Sequence, residues 1–134
     1  MDKKILISVY GSLRKNLGNH RLLENAKYLG EFNTEPEYSL YSLGGFPGLK
    51  ENGNTSVVME VYEVTPEEAH RVDNLEGYDP NSNDNTFYDK KVIKTPYGDA
   101  GVYIYVDNIP EDRLVEHGDW KKHLQSRPVN NRWS

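Results

Sequence analysis

The chain of 134 residues contains no cysteine and no long apolar run. The lack of cysteine excludes a disulfide framework, a thiolate zinc site and a cysteine nucleophile. Apolar runs such as Ile5 to Ile7 are far shorter than a signal-peptide core or the roughly 20 residues that cross a membrane. We therefore expect a cytoplasmic protein that has no membrane partner.

Positive charge is also scarce. The chain has 16 Lys and Arg against 21 Asp and Glu, which gives a formal charge of −5, and no cluster of Lys or Arg exceeds two residues. Nucleic-acid binding depends on cations that displace condensed counterions, so this composition argues against a DNA or RNA partner. The four histidines lack the i, i+4 spacing of a zinc helix, and we expect neither a metal nor a cofactor.

The length and the spacing of apolar residues predict one domain over residues 1–124, followed by a polar tail over 125–134, and they fix no oligomeric state. Gly44 to Gly48 reads as a turn-rich loop, Asn19 as the cap of a short helix, and 110–124 as one or two short helices. Apolar periodicity predicts six strands, at Ile5–Val9, Tyr28–Phe32, Tyr38–Leu43, Ser56–Val64, Tyr88–Lys94 and Ala100–Val106. The fold class is therefore α+β, with a small mixed, mostly antiparallel, barrel-like sheet and flanking helices.

The strongest helix signal lies between Thr65 and Gly77. Thr65 and Glu68 form a capping box, Pro66 occupies the first helical position and Gly77 supplies the stop, so a helix is expected from about Pro66 to Glu76.

Glu76 ends this helix on the apolar side. At about 100° per residue it falls between Ala69 and Val72. Burial and the negative end of the helix dipole would both raise the pKa of its carboxyl toward neutrality, as a general base or acid requires. The alternative is a last-turn glutamate that bends away into solvent.

Tyr10-Gly11-Ser12-Leu13 follows the first strand at a glycine turn. Successive backbone N–H groups there could hold a carboxylate in a nest, and a plain tight connection between strand and helix would give the same sequence. Ser12 lacks the Gly-x-Ser-x-Gly elbow of a serine nucleophile.

Aromatic residues are candidates for the wall of a small-ligand pocket. Tyr41, Phe46, Tyr78 and Tyr88 fall near predicted loops, where such rings commonly line pockets. Tyr103 and Tyr105 lie within a predicted strand and are more typical of sheet packing.

Four segments together resemble the gamma-glutamylcyclotransferase-like family, in particular its small bacterial members and the gamma-glutamylamine cyclotransferase branch. They occur in the family's order, and the resemblance covers about residues 4–120. The segments are Tyr10–Leu13, Tyr41–Gly48, Val72–Tyr78 and the closing hairpin. Many relatives carry an arginine two residues after the tyrosine that follows the helix, whereas this chain has Lys90 at that position.

The resemblance implies that the α-amine of a γ-glutamyl group attacks its own γ-carbonyl, which releases an amine and forms 5-oxoproline. Glu76 would be the catalytic acid/base, and the substrate-binding residues would be Tyr10, Gly11, Ser12, Leu13, Tyr41, Phe46 and Tyr88. The partner would be a small-molecule γ-glutamyl substrate. Two alternatives remain, a non-catalytic binding module that captures a small anionic metabolite in the same pocket, and a protein-interaction role for the acidic surface.

Overall fold

The computed structural model describes residues 5–79 and 88–126. This part of the chain contains seven strands, two short 3-10 helices and two α-helices. In chain order the elements are β1 Ile5–Val9, a 3-10 helix His20–Leu23, β2 Lys27–Asn33, β3 Tyr38–Ser42, β4 Pro47–Glu51, β5 Val58–Val64, α1 Pro66–Glu76, β6 Tyr88–Thr95, β7 Gly98–Tyr105, a 3-10 helix Glu111–Arg113 and α2 Trp120–Ser126.

A mixed five-stranded sheet in the order β2-β5-β1-β7-β6 forms the body of the domain. β1 lies at its centre, antiparallel to β5 and parallel to β7, whereas β2–β5 and β6–β7 pair antiparallel. β3 and β4 form a separate hairpin. The predicted α+β class with a mostly antiparallel sheet is confirmed.

A tyrosine side chain joins the two ends of the sheet. Tyr97, in the turn between β6 and β7, donates its hydroxyl to the carbonyl of Glu31 on β2 at 3.2 Å. Gly30 leaves room for this contact, because a Cβ at that position would lie 2.0 Å from the Tyr97 hydroxyl. The sheet is thereby curved toward a barrel-like shape.

Two apolar clusters fill the domain. The first contains Ile7 and Val9 of β1 together with Ala69 and Val72 of α1. The predicted apolar side of the helix therefore packs against the sheet. The second joins the β3–β4 hairpin to the main sheet and to Trp120 of α2. The site described below lies at the exit of β1, next to the end of α1.

Helix α1 has the predicted caps. The N–H of Glu68 donates to Thr65 Oγ1 at 3.1 Å, and the N–H of Thr65 donates to Glu68 Oε1 at 2.9 Å. Gly77 adopts a left-handed conformation, with φ of 71°, that ends the helix. Since Gly77 terminates the helix directly after Glu76, Glu76 is the last residue of α1.

Two local predictions were wrong. Pro47 and Gly48 belong to β4 rather than to a loop, because proline is tolerated at the first position of a strand. Asn19 makes no side-chain cap; its Nδ2 donates instead to Ser12 Oγ at 2.8 Å, and the helix that follows is a 3-10 turn.

The end of the described chain is helical. α2 runs through Ser126 and thus crosses the predicted start of the polar tail, while residues 127–134 of that tail lie outside the described residues. Within the described ranges, no helix has the length and apolar character that a membrane span requires.

Candidate functional site

A cavity of about 350 Å³ opens between the segment after β1 and the end of α1. Its volume is near the lower end of the roughly 300–1,000 Å³ typical of small-ligand pockets. β4, β6 and β7 close the remaining sides. The lining residues are Ser8–Leu13, Asn19, Phe46, Pro47, Asn74–Gly77, Tyr88 and Tyr103.

Backbone N–H groups of the β1 exit segment are available for a ligand. No acceptor within residues 5–79 and 88–126 takes the N–H of Gly11, Ser12 or Leu13. The carbonyls of the same segment are occupied, since Gly11 O accepts from Arg14 N at 3.0 Å and Ser12 O from Asn19 N at 2.9 Å. Three consecutive N–H groups beside the cavity, unpaired within the described residues, are the donors that the predicted anion nest requires.

A buried ion-pair network fixes this segment from behind. The Arg14 guanidinium donates to Glu60 at 3.0 Å, to Asp119 at 2.8 Å and to Glu31 at 3.3 Å. Glu60 also accepts the backbone N–H of Lys15 at 2.9 Å. Arg14 and Glu60 are almost fully buried, so their charges depend on partners inside the protein, and Glu60 has a second cation in Lys121, whose Nζ lies 3.3 Å away. The network therefore holds the chain in one conformation directly after Leu13.

The tyrosine hydroxyls around the cavity already have protein partners. Tyr10 donates to the carbonyl of Tyr103 at 2.7 Å, and Tyr88 donates to the carbonyl of Pro47 at 2.8 Å. Burial raises the pKa of both phenols, so they stay neutral. Tyr10 and Tyr88 therefore shape the cavity with their rings and backbone, while their hydroxyls hold β4 and β7 in place.

Glu76 is half-buried at the cavity wall and is held by no donor among the described residues. Burial raises the pKa of its carboxyl from an ordinary value of 4.5 to about 7. The shift has the direction expected from the helical pattern. A carboxyl with this pKa exchanges protons readily near neutral pH, which suits a general acid or base.

A second carboxylate on α1 was missed by the sequence analysis. Asp73 is buried one turn before Glu76 and accepts from Lys90 Nζ at 3.0 Å and from the hydroxyl of Tyr103. The helical pattern contained the signal, because Asp73 falls about 40° from Ala69 on the apolar side. Tyr103, expected to be sheet packing, connects this carboxylate to the cavity.

Two exposed apolar side chains stand at the cavity mouth. Phe46 is 45% exposed and Leu75 is 41% exposed, and both line the opening. Two other aromatic candidates, Tyr78 and Tyr41, do not line this cavity. The Tyr78 ring packs edge-on against the ring of Tyr103, with 6.2 Å between the centroids. Tyr41 makes a different contact. Its hydroxyl donates to Glu111 at 2.9 Å on the far side of the β3–β4 hairpin. In the described residues, no group of three His, Asp or Glu side chains is arranged to hold a metal ion.

The family model of gamma-glutamyl cyclotransferase, AIG2-like, matches residues 7–122, which include every element that lines the cavity. The chain belongs to the gamma-glutamylcyclotransferase family. The predicted family is confirmed.

Relatives in this gamma-glutamylcyclotransferase family match over nearly their whole length. The gamma-glutamylcyclotransferase family protein YtfP of Escherichia coli is 40% identical over 114 residues, covering 85% of this chain and 94% of YtfP. A Vibrio cholerae protein provisionally named a gamma-glutamylcyclotransferase is 41% identical over 115 residues, covering 86% and 94%.

Solved structures agree with this fold. An uncharacterized protein from Pyrococcus horikoshii superposes with a TM-score of 0.74 at 29% identity, covering 92% of this chain and 99% of that chain. The solution NMR structure of Escherichia coli YtfP gives 0.66 at 38% identity, covering 89% and 98%. The architecture of this gamma-glutamylcyclotransferase family member is therefore shared across bacteria and archaea.

Proposed function

We propose that this protein cyclises the γ-glutamyl group of a small amine or peptide conjugate to 5-oxoproline and releases the amine. One observation carries the proposal: the N–H groups of Gly11 to Leu13 and the carboxyl of Glu76, which have no partner among the described residues, line the same cavity. The N–H groups can hold the substrate α-carboxylate, and the Glu76 carboxyl can accept and return a proton of the substrate α-ammonium. Membership of the gamma-glutamylcyclotransferase family supports the same assignment.

The reaction needs little covalent help from the protein. The nucleophile and the electrophile belong to one molecule, and well-oriented intramolecular attack reaches effective molarities of about 10⁵–10⁸ M. The cavity walls would fold the γ-glutamyl chain back on itself. A bound α-carboxylate on the Gly11 to Leu13 donors would fix one end of that fold.

Glu76 accounts for the proton movements. The substrate α-ammonium gives one proton to the Glu76 carboxylate, since an α-amine of pKa about 8 is mostly protonated at neutral pH. The free amine then forms a bond to the γ-carbon while the bond from that carbon to the departing nitrogen breaks. Glu76 returns its proton to the departing nitrogen. The ring nitrogen loses its second proton to the same amine or to water, leaving neutral lactam.

A substrate panel tests the proposal. Purified protein is incubated with γ-glutamyl amides of a neutral amine, of an amino acid and of a dipeptide, and 5-oxoproline is measured. The matched control is the Nα-acetylated form of each substrate, which keeps the amide but cannot attack and should give no product. Binding without 5-oxoproline from any substrate would instead indicate the non-catalytic binding module.

The pH dependence of kcat/KM follows from the pKa of Glu76. We expect kcat/KM to rise with pH through about 7, because only the ionised carboxylate accepts the α-ammonium proton. It should fall again above about 8 as the free substrate loses that proton. The affinity for 5-oxoproline is measured over the same pH range. Because 5-oxoproline has no titrating amine, its pH dependence reports on Glu76 and not on the substrate α-ammonium. An acid limb centred at pH 4 to 5 would contradict the role of Glu76.

A further inference from the structure

Asp73, Lys90 and Tyr103 form a connected group behind the cavity wall. The Asp73 carboxylate accepts from Lys90 Nζ at 3.0 Å and from the Tyr103 hydroxyl, and the Lys90 ammonium lies 5.3 Å from the centroid of the Tyr103 ring. Asp73 and Tyr103 are buried, and most of the Lys90 side chain is covered. A salt bridge in this environment is screened by solvent much less than a surface pair.

The fold makes room for this lysine. Lys90 on β6 pairs in register with Tyr103 on β7, and its side chain passes over Gly101, where a Cβ would lie 2.9 Å from Lys90 Cε. A longer residue at 101 would displace the lysine stem. The ammonium therefore crosses the strand to α1 because β7 carries glycine at the crossing point.

The group is adjacent to Glu76 in two ways. Asp73 precedes Glu76 by three residues, so the two carboxylates lie one above the other along α1. Tyr103 lines the cavity together with Glu76 and donates its hydroxyl away from it, to Asp73. A negative charge one turn away disfavours ionisation of a neighbouring carboxyl, and a positive charge favours it.

We propose that Asp73 and Lys90 are positioning residues that act as a charge-balanced pair, orienting Tyr103 and setting the protonation equilibrium of Glu76 without contacting substrate. The inference rests on the proposed function in taking Glu76 as the group that exchanges the proton. In this pair the Lys90 ammonium offsets the charge of the Asp73 carboxylate beside Glu76.

Among the described residues that line the cavity with Glu76, the other ionisable side chains are three tyrosines. The phenols of Tyr10, Tyr88 and Tyr103 have raised pKa values, mainly through burial, and are uncharged near neutral pH. On β5, Glu60 is paired with Arg14. In the 3-10 helix that packs on α1, the His20 ring lies against Tyr62 and its Nδ1 is 2.9 Å from the Leu13 carbonyl. Within the described part of the chain, Asp73 and Lys90 are an ion pair next to Glu76 whose charge balance a substitution can disturb.

Substitutions that unbalance the pair should move the Glu76 midpoint in opposite directions. Lys90→Met leaves the Asp73 charge and should raise the midpoint by roughly half to one pH unit, whereas Asp73→Asn leaves the ammonium and should lower it by a similar amount. The double variant restores neutrality and should return the midpoint close to wild type. Lys90→Arg keeps the charge and should leave the midpoint in place.

The midpoint is measured in the substrate-free protein, by the pH titration of the ¹³C-labelled glutamate carboxyl signals. The Glu76 signal is identified by its loss in Glu76→Gln. The matched control is Lys91→Met, which removes the neighbouring cation that pairs with Glu51 at 2.9 Å on the exposed side of β6. This variant should not move the midpoint.

Equal midpoints in all variants, or shifts of the same sign in Lys90→Met and Asp73→Asn, would overturn the inference. A double variant that is displaced further than either single variant would also overturn it, since a merely structural role predicts additive damage. The opposite shifts without 5-oxoproline formation by the wild type would uphold the charge balance and reject the proposed function. The two failures are therefore distinguishable.

Discussion

Glu76→Gln is expected to lower kcat by about 10²- to 10⁴-fold, the range typical of a general acid/base residue. The amide keeps the size and polarity of the side chain but cannot accept the α-ammonium proton. No donor within residues 5–79 and 88–126 holds Glu76, so its replacement breaks no hydrogen bond in this part of the chain. The measurement is 5-oxoproline formation at saturating substrate, because a general base acts on kcat rather than on binding alone.

Binding provides the control for this variant. Glu76→Gln should still bind 5-oxoproline, whose carboxylate is expected on the N–H groups of Gly11 to Leu13. Its circular dichroism spectrum should match that of the wild type. Turnover at the wild-type rate in a folded Glu76→Gln protein would refute the mechanism.

Gly11→Val is expected to abolish binding of 5-oxoproline and of γ-glutamyl ligands. A Cβ at position 11 would lie 2.7 Å from Cγ and 3.0 Å from Cδ of Pro47, which is buried at the start of β4. The valine must therefore push the β1 exit segment away from β4, and the free N–H groups move with it. Because the φ of Gly11 is not positive, position 11 needs a glycine for the close approach of two chain segments and not for a left-handed backbone.

Gly18→Val supplies the matched control, because a Cβ at that position meets nothing within 4 Å. It should keep full affinity. Ser12→Ala should lose less ligand affinity than Gly11→Val, because the backbone N–H of residue 12 remains. The hydrogen bond from Asn19 to the Ser12 hydroxyl that is lost is worth about 1 kcal/mol. Calorimetric affinity and thermal midpoint are measured for all three variants. Full affinity in folded Gly11→Val would remove the anion-binding role from this segment.

Local sequence signals predicted the elements that carry the site. The capping box at Thr65 and the stop at Gly77 define α1 because capping depends on residues close in sequence. The apolar spacing of the same helix then indicates that Glu76 is turned toward the core. The direction of its pKa shift follows from burial, which the helical pattern indicated but did not separate from a glutamate that bends into solvent.

Properties that depend on distant contacts could not be predicted in this way. Nothing near Tyr10 or Tyr88 in sequence indicates that their hydroxyls donate to Tyr103 and Pro47, 93 and 41 residues away. Tyr41 lies in a predicted strand close to the predicted loop that contains Phe46, yet the hydroxyl of Tyr41 donates to Glu111, away from the cavity that Phe46 lines. Glycine and proline around β4 suggested a loop, and only its pairing with β3 makes it a strand.

The environment of Glu76 also couples folding to proton uptake. The folded chain holds this proton up to a pKa of about 7, whereas the unfolded chain releases it near 4.5, so the folded state binds more protons between these values. The protonated Glu76 carboxyl therefore adds about 3 kcal/mol to the free energy of unfolding. This contribution is full below about pH 4.5 and is lost as pH rises through about 7. Above pH 7 the substrate-free protein therefore carries a destabilising ionised group, which Glu76→Gln removes. The melting temperature of Glu76→Gln minus that of the wild type should increase by several degrees from pH 5 to pH 8. The variant then gains stability while it loses catalysis.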